Sequence, residues 1–255
     1  MDGYQFYILG SIAVILIGIS KAGFGAGVAH LAVPLFMLAA PGREVLGILL
    51  PLLIGCDIVS VCFYRKDWSR WNVAALVPGF IAGVIIGSFF LGSIPDEILK
   101  RSVGAIAVGF VLLKVITSLL RQGARQYQPR YWHGNLTGAC AGFVSTLAHA
   151  AGPIVAMFLL PQRLPKKRYV GTLVVYFMIG NLIKVPPYVI LGILNRSALL
   201  RALSFAYLIP VGVLAGVWMN RRLPEEPFRW IIYVLLSLTG IQLVSGISII
   251  GLFTG

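Results

Sequence analysis

The chain has 255 residues, 58% of them hydrophobic and 11% charged, with 21 Lys plus Arg against 8 Asp plus Glu and a formal net charge of +13. Soluble domains carry about 25% charged residues because water meets most of their surface, so this composition excludes a soluble enzyme and, despite the basic balance, a nucleic-acid partner. With a mean hydropathy of +0.91 the chain belongs in a bilayer, and membrane lipid is its first expected partner.

A transmembrane helix needs about 20 mainly apolar residues. The first apolar stretch, 4–40, is too long for one simple span and is interrupted by Ser20-Lys21-Ala22-Gly23-Phe24-Gly25-Ala26-Gly27. Glycine weakens a helix, and unwound backbone at membrane depth is tolerated only under protein or in a wet cavity. The stretch therefore reads as a helical hairpin with a break. No Lys or Arg precedes Lys21, so the basic start of a cleaved signal peptide is missing and the segment is expected to be retained.

Spans 45–64, 72–93 and 102–120 follow, and then a basic linker at 121–133. A second interrupted stretch, 134–160, breaks at Ser145-Thr146-Leu147-Ala148-His149-Ala150-Ala151-Gly152-Pro153. After it come spans 169–194, 202–220 and 228–252. Pro186-Pro187 lie inside the first of these, where paired prolines free backbone carbonyls and make either a hinge or a bend. Cys56, Cys62 and Cys140 sit in apolar runs without C-x-x-C spacing and read as small packing residues rather than a disulfide or metal set.

The two interrupted stretches match. Ala29-His30-Leu31-Ala32-Val33-Pro34 aligns with Ala148-His149-Ala150-Ala151-Gly152-Pro153, Pro95-Asp96-Glu97 with Pro224-Glu225-Glu226, and Asp57 after Ile54-Gly55 with Asn181 after Ile179-Gly180. The chain thus divides into a first repeat (1–120), a linker (121–133) and a second repeat (134–255), each a hairpin plus three spans. Letting each hairpin enter and leave on one face puts the basic segments 65–70, 121–130, 163–168 and 221–229 on the cytoplasmic side, as the positive-inside rule requires. The second half then starts on the opposite face from the first, which makes the repeat inverted and both termini external. The fold class expected is an all-α polytopic membrane protein with two inverted-topology repeats, in the inner (plasma) membrane. Whether the hairpins cross fully or re-enter stays open.

Inverted repeats with Gly- or Pro-interrupted segments at corresponding positions mark a transporter's central site, where helix N-termini face an anion. Gly23, Gly25, Gly27 and Gly152 would let backbone N–H groups approach it. Lys21 sits at the tip of the first hairpin, where an ammonium calls for a cavity or an anionic partner, or else snorkels to the interface. His30 and His149 occupy matching places and either flank the anion or serve as buried hydrogen-bonding residues. Ser145 and Thr146 either donate to the substrate or bond back to the preceding helical turn. Asp57, Asn181 and Lys184 form a second or coupling layer, with Asp57 open to pairing with Lys21 or Lys184, to taking a proton, or to an interhelical hydrogen bond. No cofactor, metal cluster or nucleotide-binding motif is read. An anion channel and an intramembrane hydrolase built on Ser145 and His149, four apart on one helix face, are the alternatives; the flanking sequence lacks a nucleophile elbow. Gly79, Gly83 and Gly87, at four-residue spacing, suit close helix packing within the chain or in a homodimer.

At these residues the chain resembles the sulfite exporter TauE/SafE family. The resemblance is carried by Gly23-Phe24-Gly25-Ala26-Gly27 running to Val33-Pro34, by the Ser145 to Pro153 segment and by Pro78 and Pro95. Gly171-Thr172, Asn181, Lys184, Pro186-Pro187-Tyr188 and Leu223-Pro224 extend it over nearly the whole chain. Ala150 and Ala151 depart from the run of glycines common in the family's second break. The resemblance implies a small permease without enzymatic activity, exporting sulfite, an organosulfonate or an organic acid.

Overall fold

The computed structural model describes residues 3–24, 29–119 and 129–222. Gly25, Gly27, part of the linker and the expected span at 228–252 lie outside the described residues, as does the side chain of His30. The described chain is built of helices, and among its residues there is no strand. Helix α1 (Gly3–Ile19) passes into a π-helical turn (Ser20–Phe24), and α2 (Ala29–Met37) completes the first hairpin. Helices α3 (Gly42–Tyr64), α4 (Arg70–Ser93) and α5 (Asp96–Leu119) follow. The second hairpin consists of α6 (Tyr131–Ala148) and α7 (Gly152–Leu159), and the described chain ends with α8 (Lys166–Ile190), α9 (Arg196–Leu203) and α10 (Leu208–Arg222).

Among the described residues four helices are long and apolar enough to cross a bilayer, and a fifth if α9 and α10 form one broken span. That last pair corrects the expectation of an unbroken helix over 202–220. The axes bend by 58°, and Phe205, Ala206, Leu208 and Ile209 donate to carbonyls only three residues back. Pro210 explains the break: it has no N–H to give the Ala206 carbonyl, and its ring collides with the residue four back. By contrast α8 runs unbroken through Pro186 and Pro187.

Local capping fixes the other ends. The Ser69 hydroxyl accepts from the Asn72 N–H at the start of α4, and the Ser69 N–H donates to Thr172 of α8 at 2.9 Å. Asp96 accepts from the Gly42 and Arg43 N–H groups at 2.9 Å each, placing a carboxylate at the positive end of α3. Arg43 in turn donates to the Leu91 and Ile94 carbonyls at 2.8 and 2.7 Å, tying α3 to the end of α4.

Two helix pairs are in backbone contact. A Cβ placed on Gly79 would stand 1.8 Å from the Asn135 carbonyl oxygen, one on Gly83 2.0 Å from that of Ala139, and one on Gly138 2.0 Å from that of Leu76. The small-residue stripe of α4 is thus used within the chain, against α6. A Cβ at Gly18 of α1 would lie 2.6 Å from the Gly212 backbone of α10, and one at Gly23 of the π turn 2.8 Å from the Gly216 carbonyl. Such close approach is the usual means of association where lipid is as apolar as leucine. Helices α3 and α8 pack on each other between these pairs. Of the three cysteines only Cys56 is a buried packing residue. Cys62 and Cys140 are exposed, a correction with a simple cause, since a weakly polar thiol suits a lipid-facing surface as well as a core.

Candidate functional site

Burying an ionised side chain among apolar helices is unfavourable unless its charge and hydrogens are answered. Around α3 and α8 this protein buries three such groups: Lys21, Asp57 and Lys184, the last two fully excluded from solvent. Asn181, Ser145, Thr146 and His149 are buried with them. These seven sequence-derived candidates thus come together, and they form two clusters one turn of α8 apart.

The first cluster surrounds Lys21. The π-helical turn carries its ammonium to α3, where Nζ makes an ion pair with Asp57 Oδ1 and donates to the Leu53 carbonyl at 3.4 Å. Nζ also lies 5.5 Å from the centre of the Phe177 ring, near enough for a cation–π attraction. Asn181 of α8 donates to the other carboxylate oxygen, Asp57 Oδ2, at 2.7 Å. The Tyr64 hydroxyl donates to the Ala22 carbonyl at 2.7 Å, holding the π turn against α3. Of the pairings open from the sequence, Asp57 takes Lys21 and an interhelical hydrogen bond together. Gly23 faces α10, and its tight contact is with Gly216.

The second cluster surrounds Lys184. Its Nζ donates to Ser145 Oγ at 3.0 Å and to the Ser145 carbonyl at 3.4 Å, and lies 2.7 Å from His149 Nδ1. An ammonium has hydrogens to give and no lone pair, so Nδ1 is the acceptor and His149 is the neutral Nε2–H tautomer. Its Nε2–H then donates to the Leu46 carbonyl of α3 at 3.1 Å. His149 stands just past α6 in a left-handed conformation with φ 50°, its N–H closing on the Ser145 carbonyl at 2.9 Å. This corrects the picture of Ser145 and His149 on one helix face: the chain has left the helix at His149, and both side chains meet through Lys184. Lys184 and Asp57, expected as a second or coupling layer, touch Ser145, His149 and Lys21 directly. Lys184 therefore lies at the carbonyl end of α6, where the helix dipole favours a cation.

Thr146 bonds back to the Gly142 carbonyl at 2.8 Å, which occupies its hydroxyl hydrogen. Tyr188, one turn beyond Lys184, donates to the Thr146 carbonyl at 2.7 Å and so ties α8 to the end of α6. Gly152 is buried at the start of α7. Groups not offered as site candidates from the sequence thus complete the site: Tyr64, Phe177, Tyr188 and the carbonyls of Leu46 and Leu53. Tyr188, four after Lys184, shares its helix face and was open to detection. The carbonyls carry no sequence signal. From Leu46 to Asp57 the network follows about 16 Å of α3 at 1.5 Å per residue.

Long apolar helices in backbone contact around buried ionised groups define a multi-pass α-helical membrane protein with a polar centre. A family model described as Sulfite exporter TauE/SafE matches residues 11–243, and the chain belongs to that family, whose members are membrane transporters rather than enzymes. No curated protein and no solved structure matches the chain.

Proposed function

We propose that the protein is an inner-membrane permease that exports a small oxyanion, sulfite or an organosulfonate, by alternating access. One observation carries the anion: Lys184 is wholly buried and hydrogen-bonds only to neutral acceptors, a hydroxyl, a carbonyl and an imidazole nitrogen. Among the described residues the ion pairs are Lys21 with Asp57, Arg101 with Glu97, and Arg201 with Glu44, so Lys184 has no carboxylate. With Lys21 and Asp57 cancelling, Lys184 is the one cationic side chain of the centre that has no carboxylate of its own. A mobile anion is the natural counter-charge.

Two inverted repeats, 1–120 and 134–255, supply the mechanism in this reading. The helix contacts support it: α1, the first helix of one half, packs on α10, and α6, the first helix of the other, packs on α4. Asp57 and Asn181, which the repeat aligns, touch each other. Motion of the two halves about the α3–α8 contact would open the clusters to one side and then the other. Export from an inside-negative cell is favoured by about 2.3 kcal/mol per charge per 100 mV.

The test is flux of radiolabelled sulfite in proteoliposomes, competed by a panel of organosulfonates and carboxylates. Saturable flux abolished by one competitor identifies the cargo class. Absence of flux for every anion tried, in folded protein, refutes the reading.

A further inference from the structure

The Lys21 cluster raises a question of its own, resting on the carrier reading above: how an anion gains Lys21 when a carboxylate already holds it. Asp57 is fully buried on α3, its Oδ1 taken by Lys21 and its Oδ2 by Asn181. In this closed arrangement its short side chain is shut off from water. An anion that took Lys21 would set a second negative charge within a few ångströms of this carboxylate, and two like charges so close do not both stay ionised.

We propose that Asp57 is a proton-binding site coupled to the anion. It is the internal counter-ion of Lys21, and the anion takes its place when a proton neutralises Asp57. The groups around it fit this exchange. Lys21 approaches from the π turn, Asn181 and Lys184 from α8, and Cys56 adjoins it on α3. Once protonated, Asp57 keeps an acceptor oxygen for the Asn181 amide and gains an O–H to donate, while the Lys21 ammonium is released to the anion. The proton enters from the side that supplies the anion and leaves with it, so none is created or lost. A dianion carried with one proton still moves one net negative charge outward, downhill in an inside-negative cell.

Linkage makes the coupling reciprocal: if a proton on Asp57 strengthens anion binding, the bound anion strengthens proton binding by the same factor. His149 is excluded from this role while its Nδ1 accepts from Lys184, because protonating it would set N–H against N–H.

The decisive experiment is calorimetric titration of sulfite into the purified full-length protein in buffers of differing ionisation enthalpy, for wild type and Asp57→Asn. The expected result is about one more proton taken up per sulfite by wild type than by the variant, a difference that removes sulfite's own ionisation. At pH 8 the variant should bind sulfite at least about tenfold more tightly, since a neutral amide no longer competes for Lys21. Equal proton counts with sulfite bound by both proteins overturn the proposal and leave the carrier reading intact. No sulfite bound by folded wild type overturns both. Should Asp57→Asn fail to fold, the wild type alone decides: with an organosulfonate, whose charge is fixed above neutrality, affinity should fall about tenfold per pH unit, and a pH-independent affinity overturns the coupling.

Discussion

The two buried lysines solve the same physical problem in opposite ways. Lys21 meets a carboxylate, so its charge is cancelled where it stands and the cluster with Asp57 and Asn181 is electrically closed. Lys184 meets only Ser145 and His149, so its hydrogens are satisfied while its charge is not. The difference separates two duties. In the proposed carrier Lys184, which has no carboxylate, is the first to meet the anion, and Lys21 joins the π turn to α3 and α8 through its ion pair until Asp57 takes a proton.

The sharpest way to break this comparison is Lys184→Met. Removing one partner of a desolvated charge pair costs about 2–5 kcal/mol, so sulfite flux in proteoliposomes should fall at least about 30-fold; flux within twofold of wild type would take Lys184 out of the anion site. Stability should respond in the reverse order. Asp57→Leu strands the Lys21 ammonium and is expected to cost about 3–5 kcal/mol, with the double variant Lys21→Met/Asp57→Leu recovering most of it. Thermal unfolding in detergent reads both, and equal losses in single and double variants would show that the pair is not what holds the π turn.

Smaller changes sharpen the contrast. Asn181→Ala removes a hydrogen bond to a charged group, worth about 1.5–3 kcal/mol, and the loss should appear in unfolding more than in flux at saturating sulfite. Ser145→Ala takes one neutral acceptor from Lys184 at about 1 kcal/mol, which corresponds to a roughly fivefold loss of anion affinity if the hydroxyl orients the ammonium. An unchanged sulfite affinity in that variant would leave His149 as the orienting group.

Much of the site was legible in the sequence because the bilayer makes polarity conspicuous. In runs that are otherwise apolar, Lys21, Asp57, Asn181, Ser145, His149 and Lys184 stand out one by one, and all six lie in the two clusters. The glycines of 20–27 and the Gly-Pro at 152–153 likewise announce interrupted hairpins. What stayed hidden was pairing. Nothing in composition chooses Lys21 over Lys184 as the partner of Asp57, and backbone acceptors such as Leu46 and Leu53 look like any other leucine. The break between α9 and α10 was masked because Pro210 sits in an apolar run that satisfies the length of a span, so hydropathy outvoted the missing N–H.

The sequence by itself determined that this is a multi-pass helical membrane protein, where its first hairpin breaks, and which polar groups must be kept from lipid. Those are one-dimensional properties, since hydropathy, glycine and proline act on the residues that carry them. Only the tertiary structure decided that α4 lies on α6 and α1 on α10, that His149 turns out of its helix to accept from Lys184, and that Asp57 and Asn181, 124 positions apart, share a hydrogen bond. Those outcomes depend on how closely whole helices approach. That distance is set by glycines on both partners at once, and no single segment specifies it.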